Sequence, residues 1–368
     1  MGDAYICDNM ESFIVSALKY RPQTFEEVVG QESITQTLKN ALESNQLAQA
    51  LLFCGPRGVG KTSCARILAK QINSTTEETA DSDYAFNIFE LDAASNNSVE
   101  DIRKINEQVR IPPQVGTHKI YIIDEAHMLS SSAFNAFLKT LEEPPKHVIF
   151  ILATTEKNKI IPTVLSRCQV YDFKRIPIEA IQAYLIKIAT LKALSFEEDA
   201  LFLIAQKAEG AMRDALSIFD RMVSFTNGNL SVASVAENLN VLDYDTYFEL
   251  ARKIFAHELS GLLLDYDGLE QRGIDGLQFL TGLGTHFRNL MLAKDSNTAT
   301  IMEVGKHIQQ QYSTQSATLA PSLLLDALEI TNTAALNYKN SRNKRVHTEL
   351  CLMQLASLHL DGEKKKAI

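Results

Sequence analysis

Turn-forming residues are scarce in this chain, with 16 glycines and 9 prolines in 368 residues, below the roughly 12% share usual in soluble proteins. Few breakers mean long regular elements, so a helix-rich protein is expected. Cysteine is also sparse. Cys7, Cys54, Cys64, Cys168 and Cys351 are scattered, with no CxxC pair. That supports neither a disulfide framework nor a zinc ribbon, and it fits a reducing compartment. Long apolar runs are missing. None is longer than Val148 to Ala153, which falls far short of the roughly 20 residues that span a bilayer. No basic-then-apolar signal opens the chain, and a cytoplasmic protein with no membrane partner is expected. Basic excess is absent too: Lys+Arg 36 against Asp+Glu 45 gives a net charge of −9. This excludes a basic, non-specific nucleic-acid coat but not a local basic surface within an assembly.

What is present argues for a folded protein of two or three domains: 45% apolar and 22% charged residues are ordinary globular values. Residues 1 to about 20 read as a leader, with Met10 an alternative start and residues 1–9 an extension. Ile34, Leu38 and Leu42 recur every four residues, predicting an amphipathic helix over 32–46. Apolar runs at 51–54, 88–91, 119–123, 148–152 and 169–173 read as strands. Helices are expected at 61–72, from Ser98 to about Val109, and over 132–141, where Pro144-Pro145 stops the last. Strands alternating with helices predict a parallel sheet with flanking helices. After Pro177 only helices are expected. The division is 1–177 α/β, 178–242 helical, 243–362 helical, and a charged tail at 363–368.

Gly55-Pro56-Arg57-Gly58-Val59-Gly60-Lys61-Thr62 matches the GxxxxGK[ST] phosphate loop. Its glycines let backbone N–H groups turn inward around phosphate oxygens, and the following helix, starting through Ser63, aims its positive end at the same anion. A chain of this length would contain about 0.01 such matches by chance, so accident is a poor explanation. Lys61 is expected on the β- and γ-phosphates and Thr62 on Mg²⁺. An apolar strand ends in Asp124-Glu125. A strand tip beside the phosphate loop suits Asp124 as a second Mg²⁺ ligand and Glu125 as the base that polarises water. His127 is expected to be structural. Thr154-Thr155 closes the next strand, where a hydroxyl could hydrogen-bond the terminal phosphate or the attacking water. Ser166-Arg167-Cys168 offers an arginine for a neighbouring subunit's site, and Arg213, in the second domain, one that reaches back to the phosphates.

Together with Lys19-Tyr20-Arg21-Pro22, Phe25 to Gln31, Asp92-Ala93-Ala94-Ser95, Leu138 to Pro145 and Leu152 to Thr155, these motifs resemble the AAA+ clamp-loader ATPases. Within them they resemble the gamma/tau family of bacterial DNA polymerase III. The match is dense from about Ser12 to Ala215. The resemblance implies an AAA+ domain, a helical lid and a helical collar that assembles subunits. It implies that Arg21, Pro22 and Val29 hold adenine, that Thr155 and Arg213 are first and second sensors, and that Arg167 is a finger acting in trans. It implies ATP and Mg²⁺ as ligands. Implied partners are delta and delta-prime subunits, other copies of the chain, a sliding clamp and primer–template DNA, in an assembly classed with DNA-directed DNA polymerase.

Two departures stand out. The family usually carries four zinc-binding cysteines between the phosphate loop and the Asp92 strand, whereas residues 73–87 contain none, so loss of zinc is expected. Asn96, Asn97 and Ser98 replace the basic residues that usually follow Asp-Ala-Ala-Ser, leaving Arg103 as the nearest cation for DNA. The alternatives are a non-hydrolysing delta-prime-like subunit, against which the intact Lys61, Thr62, Asp124 and Glu125 argue, and another AAA+ motor such as a branch-migration ATPase.

Overall fold

The computed structural model describes residues 15–73, 87–114, 116–239, 244–302 and 304–358. It divides into two compact units, Met1–Leu194 with Ile204–Phe225, and Ser195–Leu203 with Thr226–Ile368.

The first unit opens with one helical turn, α1 (Ser16–Lys19), and α2 (Glu32–Glu43). An alternating series follows: β1 (Ala50–Cys54), α3 (Lys61–Asn73), β2 (Ile88–Asp92), α4 (Val99–Gln108), β3 (Lys119–Asp124), α5 (Ser131–Glu142), β4 (Val148–Thr154), α6 (Pro162–Leu165) and β5 (Gln169–Asp172). Helices α7 (Ile178–Leu191) and α9 (Met212–Phe225) come next, while α8 (Glu198–Lys207) is divided between the two units after Leu203. The five strands form one parallel sheet in the order β2-β3-β4-β1-β5. A parallel sheet must be covered on both faces, which is why its central strands are apolar throughout. Alternation splits them cleanly. Leu51, Phe53, Ile120, Ile122, Ile149 and Ile151 enter the core beneath α2 and α3. Leu52, Tyr121, Ile123, Phe150 and Leu152 enter the core beneath α4 and α5.

The local signals act as their chemistry requires. Ser98 and Asp101 form a reciprocal capping box at the start of α4, with Asp101 N–H donating to Ser98 Oγ at 3.2 Å. Helix α5 ends at Glu142, ahead of the two prolines. Of the expected leader only 15–20 lies among the described residues, where Ser16–Lys19 forms a helical turn and Ser16 bonds a buried carboxylate on α9.

The second unit holds β6 (Ser195–Phe196) and β7 (Asn229–Leu230), with α10 (Val232–Asn238), α11 (Tyr244–Phe255), α12 (Leu259–Gln271), α13 (Gly276–Leu292), α14 (Ser296–Ala299), α15 (Lys306–Ala317), α16 (Pro321–Asn337) and α17 (Lys344–Ala356). The β6–β7 pair is parallel and corrects the expectation that only helices follow Pro177. Two-residue strands are too short for a period-2 pattern to register in sequence. The unit's core is built on α13, where Phe279, Leu283, Phe287 and Leu290 are fully buried. His286 lies among them, 1% exposed. Its ring nitrogens pair with Tyr312 OH at 2.9 Å and Gln315 Oε1 at 3.3 Å. Burial pushes its pKa down to about 3, against the Gln315 hydrogen bond.

Candidate active site

All five strands end at one edge of the sheet, and the carboxyl edge of an open parallel sheet is where ligands bind. The turn after β1 is the phosphate loop. Gly55 has φ +147°, and a Cβ there would sit 2.4 Å from the Phe173 carbonyl oxygen, so only glycine lets β1 turn there. Gly58 has φ +78°, with the Cβ atoms of Ala211 and Arg213 at 3.0 and 3.4 Å from its own missing Cβ. Lys61 opens α3 yet is 6% exposed. Its ammonium donates to the Gly55 and Pro56 carbonyls, both at 2.7 Å. Burial lowers its pKa, opposed by the Glu125 and Asp124 charges.

The strand tips bring the acids to this loop. Thr62 Oγ1 donates to Asp124 Oδ2 at 2.8 Å. This hydroxyl and carboxylate form the hard-oxygen pair that suits Mg²⁺. Glu125 follows in the left-handed region, φ 48°, which turns it out of the strand direction. Thr155 Oγ1 donates to Glu125 Oε2 at 3.1 Å. Thr154 is fully buried and pairs with His127 Nδ1 at 3.1 Å. His127 also lies 3.4 Å from carboxylate oxygens of Glu125 and Glu156, a packed, hydrogen-bonded position.

Lys61, Thr62, Asp124 and Glu125 line one cleft of about 520 Å³, together with Arg21, Pro22, Val29, Arg57, Gly58, Val59, Gly60, Ser63 and Arg213. Arg21 Nε donates to Ser63 Oγ at 3.4 Å. Burial, then the Arg66 charge, holds the Arg21 pKa below its usual value, against the pull of Glu90. The Arg213 N–H donates to the Gly58 carbonyl at 3.4 Å, which ties the start of α9 to the phosphate loop. An adjoining cleft of about 530 Å³, shared by Arg21, Arg57, Thr62, Asp124, Glu125 and Arg213, extends to Arg66, Glu90 and Asp92.

Of the expected residues, Gly55 and Pro56 open the loop without lining the cleft, and Thr155 reaches it only through Glu125. Arg167 does not line the cleft. Its guanidinium is paired with Glu142 and donates to the Thr163 carbonyl at 2.7 Å. Arg103 is exposed on α4. The stretch behind the zinc expectation falls, at 74–86, outside the described residues. Residues 1–9 and the tail at 363–368 fall outside them as well. Sequence reasoning missed Tyr184, Leu216, Ser217 and Asp220, which also line the cleft. With Arg213 placed on a helix, positions 216, 217 and 220 fall on the same face, and that periodicity was the available signal.

Residues 30–177 match the family model for the DNA polymerase III delta subunit, and residues 180–228 that for the clamp loader subunit ATPase lid domain. The DNA polymerase III subunit gamma of Buchnera aphidicola is 38% identical over 266 residues, 69% of this chain and 72% of that protein. The chain belongs to the gamma/tau family of DNA polymerase III subunits. A second gamma/tau relative, the subunit tau of Bacillus subtilis, is 39% identical over 91% of this chain and 62% of its own length. In Escherichia coli the family's subunit tau is 43% identical over 65% of this chain and 39% of its own. The chain thus spans less than two thirds of these two relatives. Among solved structures, the Thermotoga maritima RuvB Holliday junction branch migration motor has a TM-score of 0.49 and 19% identity, over 82% of this chain and 92% of that one. That likeness is too low to carry a functional comparison.

Proposed function

We propose that this chain is the ATP-hydrolysing subunit of a clamp loader. In this reading it binds and hydrolyses ATP to open a sliding clamp and place it on primer–template DNA in the cytoplasm. The observation that carries the reading is the convergence of Lys61, Thr62, Asp124 and Glu125 in one cleft, with Thr155 hydrogen-bonded to Glu125 behind it, in a chain of the gamma/tau family. The work is conformational, and the chain's link to DNA polymerase is membership of that assembly.

In this reading the residues take the following roles. The N–H groups from Gly55 to Lys61 and the α3 terminus cradle the phosphates, and Lys61 exchanges its two carbonyl partners for phosphate oxygens. Thr62 and Asp124 would hold Mg²⁺, which neutralises phosphate charge when bound. Glu125 orients and deprotonates the attacking water, while Thr155 holds its carboxylate and reports the terminal phosphate. Arg21, Pro22 and Val29 form the base side. Arg213 reaches the phosphates from α9. Arg167, absent from this chain's own cleft, completes the site of a neighbouring copy, and Arg103 faces DNA. The proposed partners are delta, delta-prime, further copies of the chain, the clamp and DNA. The division into AAA+ domain, lid and collar at 177 and 242 goes with this reading, as does the absence of zinc.

The test is steady-state ATP hydrolysis with delta, delta-prime and sliding clamp from the same source, with and without primed DNA. Strong stimulation by clamp and primed DNA together supports the reading. Turnover indifferent to both overturns it.

A further inference from the structure

Helix α9 lines the cleft along one face from Met212 to Asp220. Its first turn meets the phosphate loop through Arg213 and Gly58. Seven residues on, about 10 Å along the axis and on the same face, Asp220 is buried at 9% exposure. Its Oδ2 accepts the Ser16 N–H and its Oδ1 the Ser16 hydroxyl, both at 2.5 Å. Lys192, just after α7, donates to the same hydroxyl at 2.9 Å and lies 3.5 Å from Asp220 Oδ1. Its ammonium also stands over the rings of Tyr20 and Phe219, at 5.7 and 5.5 Å from their centroids. Tyr184 OH on α7 donates to the Tyr20 carbonyl at 3.2 Å. Val15, Ala17, Leu18 and Tyr20 in turn line the cleft.

Segment 15–20 is therefore held by α7 and α9. Its nearest polar tie to the sheet side is the longer Arg21–Ser63 contact, at 3.4 Å. The clasp is fully matched: the Ser16 hydroxyl donates to the carboxylate and accepts from the ammonium. Charge-assisted bonds at a buried site are the strong ones, and removing the carboxylate leaves two buried Ser16 donors without their acceptor.

We infer that Asp220 is a positioning residue that makes the 15–20 wall part of the lid, so that one helix grips the nucleotide from both its base side and its phosphate side. Lid movement then withdraws Arg213 and the base-side wall from the phosphate loop together. This rests on the nucleotide-binding reading of the cleft.

The experiment compares the wild type, Asp220→Ala and Asp220→Asn by calorimetric titration with ATP, ADP and inorganic triphosphate. Asp220→Ala weakens ATP and ADP by about tenfold, the loss of one charge-assisted hydrogen bond, and leaves triphosphate unchanged. Asp220→Asn recovers most of the loss, because its amide oxygen still accepts the Ser16 N–H. The chain has no tryptophan, so Leu18→Trp, at a position 62% exposed on the cleft, gives a single fluorescent reporter. Its anisotropy drops in the Asp220→Ala background without nucleotide. Equal losses for all three ligands, no loss for ATP, or unchanged anisotropy overturns the inference. Failure of the wild type to bind ATP sinks the nucleotide reading instead, while the anisotropy measurement still decides whether Asp220 holds the segment.

Discussion

Thr155 Oγ1 donates to Glu125 Oε2 at 3.1 Å, joining the tip of β4 to the acid that follows β3. One hydroxyl therefore fixes the carboxylate proposed to activate water. Thr155→Ala is expected to lower hydrolysis by about 10- to 100-fold while changing ATP affinity less than about threefold, and Glu125→Gln by about 10²- to 10⁴-fold. Single-turnover hydrolysis beside equilibrium ATP titration checks both. Parallel losses in binding would show that the pair supports the cleft and not the chemical step.

Lys61 carries a prediction with a definite sign. Burial lowers its pKa from 10.5, and an arriving phosphate restores it, so ATP binding takes up protons in the range between the lowered value and 10.5. Affinity then falls as pH rises through the lowered pKa. Titration calorimetry in two alkaline buffers of different ionisation enthalpy reads the uptake directly. Lys61→Ala is expected to abolish ATP binding.

Arg167 is predicted to be silent in the isolated chain and decisive in the assembly. Its pairing with Glu142 is partly exposed, and such pairs contribute at most about 1 kcal/mol. Arg167→Ala should leave ATP affinity and melting temperature nearly unchanged. It should reduce clamp- and DNA-stimulated turnover by about 10³-fold or more. Normal stimulated turnover in an assembly built from the variant would remove Arg167 from the site.

His286 makes the second unit acid-sensitive. Its folded pKa is pushed down to about 3, below the unfolded value of about 6.5. The unfolded chain therefore binds the extra proton. Stability is full above about pH 6.5 and declines by up to about 1.4 kcal/mol per pH unit below it, toward pH 3. His286→Gln keeps a partner for Tyr312 and removes the titration. Its denaturation midpoint should fall less between pH 7 and 5 than that of the wild type.

Gly55→Ala is expected to damage the fold as well as the loop. The added Cβ meets the Phe173 backbone oxygen at 2.4 Å, and φ +147° is strained for any L side chain. A loss of about 1–3 kcal/mol, read as a lower denaturation midpoint without nucleotide, is the expected result. An unchanged midpoint would mean that β5 yields at this point.

The phosphate loop was legible because its chemistry is local. GPRGVGKT places glycines, lysine and threonine within eight consecutive residues, and backbone geometry does the rest. Asp124 and Thr155 were legible because parallel strands buried on both faces write continuous apolar runs, and the polar residue that ends such a run lies at the carboxyl edge. The β6–β7 pair was not legible, because two residues carry no period. What orders segment 15–20 lies about 200 residues away, so no local pattern announces it.

The sequence by itself therefore determined the α/β core, the nucleotide loop and the acids beside it, all set by local spacing and alternation. Only the tertiary structure decided that Arg167 stays out of its own cleft, paired with Glu142, and that Asp220 on α9 clasps Ser16. Both depend on which charges meet across separate segments, one pair partly exposed and the other buried. A carboxylate 204 residues from its partner leaves no periodic trace in the chain, since only the closing of the fold removes the water that would otherwise solvate it.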